Sequence, residues 1–212
     1  MIYDIDIAKQ IAKSLLQINA IILQPNNPFK WASGWLSPIY CDNRKTLSFP
    51  EIRNYIRQGL AAIVKNHYKG SNIIAGVATA GIPHGVLVAE ELGLPFIYVR
   101  PKAKKHGKKN QIEGSFIEGQ SVVLIEDLFS SGKSSIEAAD TLSNTGLQVK
   151  GIISIFNYNF DSADKNFKQA NYEYISLCDY KTLIPEAIKQ QYIQKEDLTL
   201  LKEWRKDPSK WK

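Results

Sequence analysis

Ile7, Ile11, Leu15 and Ile18 recur at helical spacing, which predicts an amphipathic helix over residues 6–18. NPFKWASGWLSPIYCDNR (27–44) follows, rich in turn residues and aromatics, and reads as a hairpin or extended loop. Ser48 and Glu51 have the spacing of a capping box, opening a helix with Ile52, Ile56, Leu60 and Ile63 on one face. Residues 72–77 form a short apolar run that ends in the turn ATAGIPHG (78–85) and a helix to about Leu92. Further strands are predicted at 94–100, 121–125, 149–156 and 172–177, and a helix through about Ser143 follows the second of these. The tail from Lys181 onward reads as helical.

Strands alternating with helices of this length imply an α/β fold, a central parallel sheet with right-handed crossovers. The expectation is a single domain over 1–212. About 1–45 would form a small N-terminal cap or hood, and about 70–160 the core sheet. In such sheets ligands bind beyond the carboxyl ends of the strands, which points to the turns at 78–85, 100–115 and 126–134.

Composition adds few constraints. The chain of 212 residues is 44% hydrophobic and 23% charged, the profile of a folded domain. No apolar run approaches the ~18 residues of a membrane helix. Asp4 and Asp6 stand where a secretory signal would carry positive charge. Cys41 and Cys178 belong to no metal-binding or disulfide pattern. A reducing, cytoplasmic setting is therefore expected, with no membrane partner.

Charge is more informative. The net charge of +6 resides wholly in RPKAKKHGKKN (100–110); without its six basic residues, basic and acidic residues balance at 21 each. The segment has no aromatic to stack on a base, which argues against a nucleic-acid partner. It reads either as a solvated charge run or as a loop that closes on a polyanion, and its neighbours in the chain decide between the two.

VVLIEDLFSSGKSS (122–135) carries the clearest chemistry. A buried strand delivers Glu126 and Asp127 to the sheet edge, and small hydroxyl residues and Gly132 open the next helix. Exposed N–H groups and the positive helix end there suit a phosphate, while carboxylates suit vicinal hydroxyls or, through water, a divalent cation. Together they describe a site for a phosphorylated sugar. The GKS at 132–134 is not a P-loop, because that motif needs glycine at 127 and an aspartate there would repel phosphates.

This stretch resembles the phosphoribosyl diphosphate (PRPP) signature of the type I phosphoribosyltransferases. Arg100, Lys104 and His106 fall on an RxxxKxHG pattern, and FKWASGWLSPIYCDNR (29–44) is similar to an N-terminal FxLxSGxxSP element. Both point to the orotate branch of that family. The resemblance implies transfer of ribose 5-phosphate from PRPP to orotate, giving orotidine 5′-monophosphate and pyrophosphate in pyrimidine synthesis. Catalysis would rest on Lys104, Glu126 and Asp127. PRPP would meet Arg100, Lys104, His106 and the run Glu126, Asp127, Leu128, Phe129, Ser130, Ser131, Gly132, Lys133 and Ser134. Orotate would meet Ser130 and Tyr40. A Mg²⁺ would be held mainly by PRPP, in part through water by Asp127. The family also implies a homodimer sharing the 100–114 loop across subunits.

Some positions depart from the family pattern. Ala32 and Ala80 stand where lysines are common, and FNYNFD (156–161) lacks an arginine that grips orotate in some members. Two other readings are a phosphoribosyltransferase for another base, which would need neither 100–107 nor the SPIY element, and a non-enzymatic PRPP-binding regulator of the same fold. Taken on packing grounds, His67, His84 and Phe129 are structural.

Overall fold

The computed structural model describes residues 1–31, 34–101 and 111–211. Helix α1 (Ile5–Gln17) starts where the Asp4 carboxylate accepts hydrogen bonds from the N–H groups of Asp6 and Ile7, both at 2.9 Å. Its Ile11 and Leu15 are fully buried, as the periodicity requires. Four short strands follow: β1 (Ile21–Leu23), β2 (Phe29–Lys30), β3 (Leu36–Ser37) and β4 (Ile39–Cys41). β1 pairs antiparallel with β4 and β2 with β3, so the aromatic segment folds into two small hairpin-like ribbons, here called the hood.

A 3₁₀ segment (Asn43–Ser48) leads into α2 (Pro50–His67). The capping box expected from Ser48 and Glu51 does not form. Ser48 is consumed by the 3₁₀ turn, the cap position moves to Phe49, and no side chain caps the helix. Pro50 at the first helical position has no N–H in need of an acceptor.

The main sheet is built from β5 (Ile73–Val77), β6 (Phe96–Val99), β7 (Ile112–Glu113), β8 (Ser121–Phe129), β9 (Gln148–Asn157) and β10 (Tyr174–Asp179). Its order is β10-β9-β8-β5-β6-β7, parallel throughout except for β7, which turns back antiparallel to β6. The sheet thus runs on to Asp179. Connections are made by α3 (Gly81–Leu92), α4 (Lys133–Ser143) and α5 (Asp161–Ala170), and the chain ends in α6 (Tyr180–Lys189) and α7 (Leu198–Lys206).

Both sheet faces are covered, and β8 shows the alternation. Val123 and Ile125 join Ile11, Leu15, Ile56, Leu60 and Leu183 in one cluster, while Val122 and Leu124 join Ala138, Leu142 and Phe167 in the other. Leaving β5 the chain moves to β6, and leaving β8 it moves to β9 on the opposite side. The gap between the carboxyl ends of β5 and β8 is therefore the topological switch point, where α/β sheets bind ligands.

Candidate active site

A cleft of about 290 Å³ opens at that switch point, lined by Val77–Ala80, Glu126–Leu128 and Ser130–Ser134. The strand predicted over 121–125 continues through both acids to Phe129, because β9 also runs on and pairs Glu126 with Ser154 and Phe129 with Asn157. Glu126 and Asp127 are thus held by sheet hydrogen bonding rather than carried on a loop.

Glu126 is only 6% exposed. Its Oε1 accepts from the Asp127 N–H at 3.0 Å and its Oε2 from the Ser135 hydroxyl at 3.3 Å. Burial, and then the neighbouring Asp127 charge, pushes the Glu126 carboxyl well above its usual range. Burial raises Asp127 as well, against the opposing pull of its hydrogen bond with Glu126 and of the Arg44 guanidinium. Two adjacent carboxyls in a poorly solvated cleft are matched to ligands that bring hydroxyl donors or positive charge.

Below the acids, the turn at Ser130–Gly132 delivers the chain to α4. Gly132 caps that helix at φ +75°, and a Cβ there would lie 2.5 Å from the Phe167 ring. Glycine is therefore required both by conformation and by the close approach of α5. Asn166 on α5 donates to the Ser131 carbonyl at 2.9 Å and holds the turn from beneath. Phe129 sends its side chain into the core against Phe167 and Tyr174, the packing role read for it. Lys133 is exposed and lies 3.9 Å from Glu137.

On the facing wall, Ala78–Ala80 form the whole of the non-helical turn, and the Ala78–Thr79 peptide is cis. The turn expected over 78–85 is shorter than read, since GIPHG is already the first turn of α3. A Cβ on Gly81 would fall 2.3 Å from the Ile125 carbonyl, so only glycine lets α3 start this close to β8. His84 is buried in that turn, and desolvation brings its pKa down to about 4, in keeping with a structural histidine.

The hood closes the third side. Asn43, fully buried, donates its side-chain N–H to the Asp127 carbonyl at 2.7 Å. Arg44 is held by Asp42, Nε to Oδ1 at 2.7 Å, and its charge is felt by Asp127. Sequence reasoning singled out none of Asn43, Arg44 and Asn166. The only signal for Asn43 and Arg44 was the DNR that ends the hood element, and Asn166 had none. Tyr40 is 39% exposed and tilts against Phe29 with ring centroids 5.7 Å apart.

Arg100 is not in the acid cleft. It lines an adjoining cleft of about 320 Å³ with Gln111, Glu137 and Asp140, and the two clefts meet at Val77, Ala78 and Ser134. Its guanidinium lies 3.4 Å from Glu113 of β7, a strand the hydrophobic pattern did not suggest. The Arg100 N–H donates to the Gln111 carbonyl at 2.8 Å, and the Gln111 side chain returns a bond to the Arg100 carbonyl at 3.3 Å. This stem closes off residues 102–110. Lys104 and His106 lie outside the described residues.

The Phosphoribosyl transferase domain model matches residues 50–188. The chain is 52% identical over 204 residues to the orotate phosphoribosyltransferase of Cytophaga hutchinsonii, covering 96% of this chain and 98% of that one. It is likewise 52% identical over 203 residues to that of Bacillus subtilis, covering 95% and 94%. This chain belongs to the orotate phosphoribosyltransferase family.

Solved structures agree with that membership. The orotate phosphoribosyltransferase of Aeropyrum pernix superposes with a TM-score of 0.75 at 26% identity, over 86% of this chain and 99% of that one. Leishmania donovani UMP synthase superposes with a TM-score of 0.78 at 28% identity, over 93% of this chain but 42% of that longer one. The expected fold class, a type I phosphoribosyltransferase sheet flanked by helices, is the one observed.

Proposed function

We propose that this chain transfers the 5-phosphoribosyl group of PRPP to orotate, forming orotidine 5′-monophosphate and releasing pyrophosphate. The observation that carries the reading is the acid pair Glu126–Asp127 at the strand end, directly above a glycine-capped helix start. In this arrangement the ribose hydroxyls donate to the two carboxyls, and the N–H groups of the 130–134 turn take the 5-phosphate at the positive end of α4. The C1–oxygen bond to pyrophosphate breaks as the bond from C1 to the orotate nitrogen forms, through an oxocarbenium-like transition state, and the proton of that nitrogen passes to the departing pyrophosphate or to solvent. Negative charge grows on the leaving pyrophosphate, and Arg100 with Lys104 and His106 of the basic loop is assigned to stabilise it. Closure of that loop would keep water from the cation-like centre.

A Mg²⁺ fits the donor set. The cleft offers two oxygen-bearing carboxyls, one of them beside the Arg44 charge, too few to cage a cation alone but enough to orient one whose other ligands are phosphate and water. Bound there, Mg²⁺ would neutralise charge on the diphosphate. We place Asp127 at its water shell. The same reading assigns a homodimer in which residues 100–114 serve the partner's cleft, and a cytoplasmic location. Among the described residues no helix is long and apolar enough to cross a membrane.

The test is orotate consumption, followed by its ultraviolet absorbance, with PRPP and Mg²⁺ and with hypoxanthine, adenine and uracil as competitors for the same role. Loss of orotate alone, abolished by removing the metal, is the expected result. Turnover of another base would move the assignment within the family, and PRPP binding without turnover would favour the regulator.

A further inference from the structure

The C-terminal helix is joined to the hood by an unbroken set of contacts, and these end beside Tyr40, which the family resemblance assigns to the base. Trp204 of α7 is fully buried. Its ring stands edge-on to Trp31 of the hood at 5.7 Å and to Tyr158 at 5.8 Å, and Phe160 and Tyr180 complete the cage around it. Trp31 in turn donates its indole N–H to the Ile39 carbonyl at 3.2 Å, one residue from Tyr40. Tyr158 begins the loop after β9, and its N–H bonds the Phe129 carbonyl at the end of the signature strand at 3.0 Å.

The neighbouring contacts point the same way. Arg205 donates to the Asn159 carbonyl at 2.7 Å and lies 3.7 Å from Asp161, so α7 also fastens the FNYNFD loop. The Tyr180 hydroxyl donates to the Leu201 carbonyl at 3.1 Å and fixes α7 on α6. Asn26 of the hood donates to Asp197 at 3.1 Å, a second tie to the C-terminal segment. The turn assigned to the 5-phosphate, by contrast, is held by α4 and α5.

We propose that Trp204 is a positioning residue for the base half of the site, acting through Trp31 on the Ile39–Cys41 strand. The assignment rests on orotate being the base. It divides the site into a sugar-phosphate half built on the sheet and a base half braced by the last helix, the two joined where Asn43 bonds the Asp127 carbonyl and Tyr158 the Phe129 carbonyl. The Trp204 Nε1 makes no hydrogen bond among the described residues, so its ring surface does the positioning, whereas Trp31 acts through its N–H as well.

The variants Trp204→Ala, Trp204→Phe and Trp31→Phe in the full chain test this. Trp204→Ala and Trp31→Phe are expected to raise the KM for orotate roughly tenfold, the scale of a displaced binding wall, with the KM for PRPP unchanged. Trp204→Phe keeps a ring in the cage and should stay near wild type. Amide hydrogen exchange supplies a readout that needs no substrate: in Trp204→Ala it should quicken at residues 21–23 and 39–41 and not at 121–129. Equal rises in both KM values, or a lowered melting temperature with both KM values and the hood exchange unchanged, would overturn the proposal. A wild-type protein that leaves orotate untouched would overturn the substrate reading instead, and the exchange pattern distinguishes the two failures.

Discussion

Asn43 and Asp127, 84 residues apart in sequence, are joined by a 2.7 Å hydrogen bond from the asparagine side chain to the aspartate carbonyl. The bond fastens the hood to the strand end that bears the acid pair, and Asn43 is itself locked where its own carbonyl accepts from the Thr46 hydroxyl at 2.6 Å. Asn43→Ala would leave a half-buried carbonyl without its donor, a loss of about 1–3 kcal/mol. Chemical denaturation should show that loss, and kcat/KM should fall with it. Wild-type stability in the variant would show that the hood is held elsewhere.

Glu126 makes the empty protein sensitive to pH. Its folded-state pKa is raised above the ordinary value of 4.5, so the folded chain binds a proton that the unfolded chain has released. Stability from this group is therefore complete below pH 4.5 and declines as pH rises towards the folded value. Glu126→Gln should abolish turnover yet melt higher than wild type at neutral pH, with the advantage vanishing below about pH 4.5.

The same shift governs ligand binding. If sugar hydroxyls take up the ionised carboxyl, PRPP binding releases the proton and the affinity rises with pH through the shifted range. Calorimetry in two buffers of different ionisation enthalpy should report more proton release in the wild type than in Glu126→Gln, where only Asp127 is left to release one.

Gly132 and Gly119 both have φ near +80°, but only Gly132 faces a neighbour where a Cβ would sit. Gly119→Ala should cost about 1 kcal/mol, the backbone penalty alone. Gly132→Ala adds a collision with Phe167 and should cost about 1–3 kcal/mol. The latter should also weaken PRPP, because the turn that must move is the one assigned to its phosphate.

Lys104→Ala should lower turnover by about 10²-fold or more, the loss that follows removal of one electrostatic stabiliser. Mixing it with an Asp127→Asn variant tests loop sharing. Recovered activity is expected if one subunit's loop serves the other's cleft, and none if each cleft is self-contained.

Much of this was legible in the sequence because it is local. Buried strands, helix periodicities and the run from Glu126 to Ser135 are contiguous, and their physics does not depend on distant residues. Boundaries failed where a partner decides them. Acids weigh against strand in isolation, yet β9 carries β8 through Glu126 and Asp127. The Ser48 capping box failed because the preceding 3₁₀ turn took its serine. Asn43, Asn166 and Trp204 were unreadable for a common reason: each acts on a segment far away in the chain. The tail, legible only as helical, contacts the hood through Trp204 and Asp197.

The stem between Arg100 and Gln111 separates the reach of the cationic segment from the integrity of the sheet. Both ends are fixed to each other by hydrogen bonds, so the chain-entropy cost of lengthening what lies between them is small, roughly 0.6 kcal/mol for a doubling. A glycine-serine insertion between Pro101 and Gln111 should therefore leave the melting temperature nearly unchanged while turnover declines. Selection can retune catalysis at this point by adding or deleting residues, a kind of change that inside a strand would shift its pairing register.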